Sequence, residues 1–382
     1  MRTTTSGRPD PAGFRFGIEH EVAFLDREHR FADFTRVRFA DFQQIVDLLP
    51  TYAGDEGQLR IGDAGIKRKR WYVEGFERFA DSPQPVDCVP KGIEIRTTIH
   101  RTIAGAVAEL TDGLALLGKA AATYGFARVG VSFNPFRTAF VPQPPLNAYE
   151  LACRKASPEM STAEIPMVTY GPDLNVSHVG FGTAEVIDAA RKLTACSPYI
   201  VPFSFGWPFS AGRLWNGLSP RTHLRTGARP AAIAFVADAD ALIATRPSLT
   251  KLARLPSEVG RIEFAAFDSC AEPADYAPLL ALVKGLLRDD TLADRADVPD
   301  GDLHRLAARR GFDDDRIAGG AARVLRAAGE GLAGDPDRNL LAPLEALLAR
   351  RRTPAHRLIE RFSTVGTLDR LLTELADRPD AA

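Results

Sequence analysis

The stretch Gly17-Ile18-Glu19-His20-Glu21-Val22-Ala23-Phe24 limits the possible folds more than any other. Apolar residues alternate with others there, which is the period of a half-buried strand. Side chains two apart share a strand face. Glu19 and Glu21 therefore project together, and Ile18, His20, Val22 and Phe24 take the other, mostly apolar face. Neighbouring carboxylates repel, and burying them is costly without a counter-charge. A bound divalent cation removes that cost. A wet acidic face avoids it too, and this stretch taken alone favours the wet face.

Three later segments carry similar information. Gly92-Ile93-Glu94-Ile95-Arg96-Thr97-Thr98 alternates as a second strand, with Glu94 and Arg96 on one face. These two charges either serve each other or serve a metal and a phosphate. Asp173 to Gly182 reads as a third strand on which His178, Gly180 and Gly182 share a face. Glycine inside a strand often marks close approach by a ligand, so His178 is expected beside open space, although a lone histidine is commonly structural. Arg261-Ile262-Glu263-Phe264-Ala265-Ala266-Phe267-Asp268 reads as a fourth strand, with Arg261, Glu263 and Ala265 pointing one way.

Between these strands, Phe39 to Leu49 is expected to be a helix ended by Pro50. Ile103, Val107, Leu110, Leu114 and Leu117 recur at helical spacing and predict an amphipathic helix to about Ala122. Arg128 to Phe133 is expected to be a strand. Thr183 is expected to cap a helix ended by Pro198. Residues 204–221 hold too much Gly and Pro for a regular element and suit a functional loop; Arg221 there is either an anion-binding fork or a surface arginine. The run Lys67-Arg68-Lys69-Arg70 is a solvated loop or, on a functional reading, a polyphosphate holder. A helix is expected from about Asp275 to Leu287. After about residue 290 the composition shifts to Ala, Arg, Leu and Asp, predicting three or four helices with breaks near Gly311, Gly334 to Pro336 and Pro354.

The 382 residues are 45% hydrophobic with a formal net charge of -1, enough for a sizeable core and without the basic excess of a nucleic-acid binder. Met1 to Pro11 is polar and has no apolar signal-peptide core, and no stretch is long and apolar enough to span a membrane. Cys88, Cys153, Cys196 and Cys270 are scattered, as reduced cysteines of a cytoplasmic protein would be.

If one sheet carries Glu19, Glu21, Glu94, His178 and Glu263, their faces converge on a site rich in hard oxygen ligands, suited to Mg²⁺ or Mn²⁺. At this point the sequence resembles the type 2 glutamate–cysteine ligase and carboxylate–amine ligase family, of the glutamine synthetase-like superfamily. The resemblance rests on five segments in order: Gly17-x-Glu19-x-Glu21, Glu94-x-x-Thr97, the strand with His178 before a helix, Ser204-x3-Pro208-Phe209-x2-Gly212 with Gly217-x-Ser219-x-Arg221, and Glu263-x4-Asp268. It implies an α+β fold: a curved, mainly antiparallel sheet flanked by helices, with the site on the concave face. A catalytic domain would span 14–290, and a helical C-terminal region, 291–382, would pack on it. It also implies ATP-dependent amide-bond formation between an amino-acid carboxylate and an amine, through an acyl phosphate. Glu19, Glu21, Glu94 and Glu263 would be metal ligands, His178 would contact metal or nucleotide, and Arg221 would hold the phosphates.

Two departures separate this chain from the family's pattern. Gly180 stands where a second histidine is usual, and Ala265 where an arginine is usual; Arg261 or Arg96 are the expected substitutes. The four glutamates favour a ligase, whereas Gly180 and Ala265 favour a non-catalytic nucleotide-binding or regulatory relative.

Overall fold

The computed structural model describes residues 8–55 and 69–376, so Lys67 and Arg68 of the basic run lie outside the described residues. The strands are β1 (Phe14–Leu25), β2 (Trp71–Phe79), β3 (Pro85–Arg96), β4 (Ala127–Val129), β5 (Pro172–His178), β6 (Phe209–Ser210), β7 (Arg213–Leu214), β8 (Ala232–Val236), β9 (Thr250–Leu252) and β10 (Ile262–Phe264). The α-helices are α1 (Phe39–Leu48), α2 (Ile103–Thr123), α3 (Ala148–Ala156), α4 (Thr183–Ile200), α5 (Pro220–Arg225), α6 (Tyr276–Arg288), α7 (Gly301–Arg310), α8 (Asp315–Gly331), α9 (Ala342–Ala349), α10 (Pro354–Val365) and α11 (Leu368–Leu375).

An eight-stranded sheet runs in the order β2-β3-β1-β5-β10-β8-β9, with β4 paired to the far end of β1. Its pairings are antiparallel except β8 with β9, so the sheet is mixed but mainly antiparallel. It curls, with helices flanking it, and the fold class is α+β.

Packing explains the register. Phe14, Phe16, Ile18, Val22 and Phe24 of β1 are buried in one core with Leu110 and Leu117 of α2, Leu193 of α4 and Leu282 of α6. Each large apolar side chain buried this way contributes about 1.5–3 kcal/mol. A one-residue slip of β1 would turn Glu19 and Glu21 into that core and lose those contacts. The same core continues through Ile317, Val324 and Leu344, beyond residue 290.

Several expectations need correction. The expected strands at Arg128 to Phe133 and at Arg261 to Asp268 are only three residues long each, as β4 and β10. Pro198 does not end α4, which continues to Ile200; the missing donor falls in its last turn. Thr183 is the first residue of that helix, and Glu185 reaches back to the Gly182 N–H at 3.0 Å instead. Among the described residues after 290 there are five α-helices, because Gly366, at φ +86°, ends α10 and lets α11 begin.

Candidate active site

The sheet face turned away from the core helices walls a cavity of about 380 Å³. Glu19, Glu21, Glu94 and Glu263 all line it, as do Arg96, Arg221 and Arg261. Strand register brings them together. Glu21 stands opposite Glu94, which stands opposite Tyr72; Glu19 lies between Arg96 and Asp173; Asn175 lies between Gly17 and Glu263. Residues directly opposite in an antiparallel pair share a face, so three rows of polar side chains cross the sheet.

His178 is not among the lining residues. Leu174 and Val176 are buried in the core, which sends Asp173, Asn175 and Ser177 to the cavity and His178 with the core side. Its Nε2 lies 2.9 Å from the Asp10 carbonyl, its ring meets Phe14 edge-on at 4.8 Å, and its Nδ1 accepts from the Gly180 N–H at 3.1 Å. β5 ends at His178, so Gly180 belongs to a turn and takes no strand face. The phase of this strand thus places His178 outside the cavity that the four glutamates line.

The carboxylates divide by their partners. Glu21 Oε1 accepts from Lys91 Nζ at 2.5 Å, and Oε2 accepts from the Gly171 N–H at 2.8 Å. Lys91 is only 1% exposed, and it also donates to the carbonyls of Pro166 and Thr169. Arg261 donates to Glu19 at 3.1 Å and to Glu263 at 3.2 Å, and lies 3.8 Å from Glu258. Its guanidinium also stacks on Phe235, 3.9 Å from the ring centre. Arg261 lines the cavity, but carboxylates hold both of its terminal nitrogens, which argues against it as a free phosphate contact.

Titration follows from this sorting. Burial pushes the Glu19 carboxyl up, but Arg261, Arg96 and hydrogen bonds from Glu94 and Asn175 together hold it below its ordinary value. Burial pushes Glu94 well up, and Glu74, Glu19, Glu21 and Asp173 push it further. Asp173 is raised well above its usual value by burial and then by Glu263, Glu19 and Glu21.

Glu74, Asp173, Asn175, Lys91 and Arg225 were not singled out from the sequence. Glu74, on β2, brings a carboxylate oxygen within 4.8 Å of oxygens of Glu21 and Glu94. The run Trp71-Tyr72-Val73 is rich in strand formers and was the signal for β2. Arg221 and Arg225 lie four residues apart on α5, and they and Arg229, beyond the end of that helix, line the cavity. Arg221 and Arg225 both donate to the Ala265 carbonyl, at 3.1 and 3.0 Å, and Arg221 also donates to Ala266. Burial lowers Arg225 well below its ordinary value, and the like charges of Arg221 and Arg229 add to that. Of the basic run, Lys69 donates to the Val46 and Leu49 carbonyls and Arg70 pairs with Asp55, so both serve the structure.

No protein-family model and no curated protein matches the chain. Solved structures do. Glutamate–cysteine ligase from Francisella tularensis, solved in complex with AMP, aligns over 97% of this chain and 88% of its own, with a TM-score of 0.57 and 10% identity. The fold is that of this ligase. A bifunctional glutathione synthetase from Pasteurella multocida aligns over 96% of this chain with a TM-score of 0.58 and 11% identity; the chain spans about half, 52%, of that enzyme's length. PafA, solved with the prokaryotic ubiquitin-like protein Pup whose ligase it is, aligns over 95% of this chain and 67% of its own, with a TM-score of 0.50 and 12% identity. At such identities the likeness is one of fold. Among the described residues no helix is long and apolar enough to cross a membrane, and the four cysteines are free thiols.

Proposed function

We propose that this chain is an ATP-dependent carboxylate–amine ligase that works with Mg²⁺ or Mn²⁺. The observation that carries the reading is one cavity with two kinds of wall: carboxylates on β1, β2 and β3, and the guanidiniums of Arg221, Arg225 and Arg229. Carboxylate oxygens are the hard donors these ions prefer, and Glu21, Glu74 and Glu94 are close enough to share one. When bound, the ion would offset phosphate charge and align the phosphoryl group. The glutamate–cysteine ligase fold supports the same chemistry by analogy.

The protein's own groups then have distinct tasks. Arg221 and Arg225 are held mainly by backbone carbonyls, with Asp268 4.0 Å from Arg221, and their charge suits a phosphate oxygen. The γ-phosphoryl of ATP passes to an oxygen of the donor carboxylate, and ADP leaves. The amine nitrogen attacks the acyl carbon, phosphate departs and the nitrogen loses a proton. Asp173, which lines the cavity opposite Glu19, is the carboxylate this reading assigns to accept that proton. Glutamate as the carboxylate and cysteine as the amine are the finer form of this reading.

The rival is a non-catalytic nucleotide-binding protein of the same fold, and the engagement of Arg261 and Lys91 by site glutamates favours it. ADP release with Mg²⁺ or Mn²⁺ against a panel of amino acids and amines decides between them. Turnover with any pair supports the ligase; ATP binding without turnover for every pair supports the rival.

A further inference from the structure

A second cavity, of about 840 Å³, lies where the helices after residue 290 meet the rest of the chain. Its walls are mostly apolar: Val131 just past β4, Phe203, Leu279 of α6, Leu344 and Leu347 of α9, and Leu358 of α10. No described residue lines both this cavity and the carboxylate-lined one. Its size falls within the roughly 300–1,000 Å³ of small-molecule sites, which often form between packed helices.

One polar group in the wall is left over. Trp207 lines the cavity and is 1% exposed, and its indole N–H has no hydrogen-bond partner among the described residues. The ring is held edge-on against Phe209, with centres 5.0 Å apart, so the N–H is fixed in place. A buried indole N–H ordinarily finds an acceptor, and leaving it unpaired is costly. The Ser204 hydroxyl, also in the wall, is already engaged: it donates to the Val201 carbonyl and accepts from the Asp268 N–H. A lone water needs two to four polar partners, and the apolar side chains around Trp207 offer it few. A larger molecule with an apolar body and one acceptor meets both demands of the cavity.

We propose that this cavity binds an uncharged small molecule with an apolar body and a carbonyl-type oxygen, which accepts from the Trp207 N–H. The charges of the lining explain why the ligand is uncharged. Glu272, Asp275, Arg350 and Arg357 are all exposed and so stand at the mouth, two of each sign, while Arg352 is paired with Glu360. Burial pushes the Cys270 thiol, also in the wall, well up, which keeps it protonated and neutral. Neither an anion nor a cation is favoured by such a lining, and selection falls to shape, apolar contact and the one indole donor. The site does not depend on the ligase reading.

The test is equilibrium dialysis of the full chain against 2-acetylnaphthalene and against 2-ethylnaphthalene, which has nearly the same shape and lacks the oxygen. Wild type should bind the ketone about three- to tenfold more tightly than the hydrocarbon, the worth of one buried hydrogen bond. Trp207→Phe keeps an aromatic ring but loses the donor, and should bring the two affinities within about twofold of each other. Leu347→Trp fills the cavity from its half-buried wall and should weaken both ligands at least tenfold. Arg225→Ala, in the other cavity, should leave ketone affinity within about twofold of wild type. The proposal is overturned if wild type does not bind the ketone, or binds ketone and hydrocarbon equally. Ketone binding that survives Leu347→Trp, or that is lost in Arg225→Ala, overturns it too. If Trp207→Phe fails to fold, the wild-type comparison and Leu347→Trp still decide; if Leu347→Trp fails to fold, Ala346→Trp, at an exposed position of the same wall, takes its place.

Discussion

Arg261 donates to Glu19 at 3.1 Å across 242 residues of chain. It does so because β1 and β10 both pair with β5, which brings their cavity-facing side chains within reach of one long side chain. The same guanidinium reaches Glu263, so one cation ties β1 to β10 across β5.

Removing that cation should therefore cost stability before it costs anything else. Arg261→Ala leaves Glu263 without its guanidinium and Glu19 with Arg96 alone, and breaking such a largely buried pair typically costs about 3–5 kcal/mol. The variant should melt well below wild type in metal-free buffer and recover part of the difference with millimolar Mn²⁺. Equal melting temperatures for wild type and variant would show that the ion pair is not structural.

The metal-free protein should lose stability as pH rises above the ordinary glutamate value. Glu94 and Asp173 have folded-state values raised well above their usual 4.5 and 3.8. The folded state thus binds more protons than the unfolded state between each usual value and its raised one, and stability falls as pH climbs through that interval. Glu19 is lowered and contributes in the opposite sense, with its stability lost on acidification. Glu94→Gln should flatten the decline, as should saturating Mg²⁺. Denaturant midpoints from pH 5 to 8 measure this, and a wild-type midpoint that rises steadily over that range would refute it.

Arg225 should matter to ATP more than Arg261 does. Its donors go to the carbonyls of Ala265 and Pro230, which leaves its charge for an anion. Arg225→Ala should weaken ATP binding in the presence of Mg²⁺ by at least tenfold, equivalent to about 1.4 kcal/mol. Calorimetry reporting unchanged affinity would remove Arg225 from the nucleotide site.

His178 should be a structural residue. It bonds the Asp10 carbonyl and packs against Phe14 and Phe181, outside the cavity. His178→Ala should lower stability by about 1 kcal/mol through the lost hydrogen bond and ring contact. ATP affinity should stay within about twofold of wild type, since no cavity contact is removed. A tenfold loss of ATP affinity with an unchanged melting temperature would return His178 to the site.

The alternation around Glu19 and Glu21 by itself determined the strand, its buried face and the side on which the carboxylates lie, because period two leaves a half-buried strand no other phase. Glu94 and Glu263 were legible for the same reason. The phase of β5 was legible in principle: Leu174 and Val176 demand the core, and Asp173 and Asn175 follow onto the opposite face. His178 misled because a histidine beside glycines looks like a ligand, while its true surroundings, Asp10 and Phe14, are brought to it by the chain just before β1 and by β1 itself. Only the tertiary structure decided which carboxylates share a cation and which share the open cluster. Lys91 reaches Glu21 because β1 and β3 are neighbours, Arg261 reaches Glu19 over a third strand, and Glu74 joins from β2. Local sequence fixes which way a side chain points, but strand order fixes what it meets, and strand order is set by the packing of elements far apart in the chain.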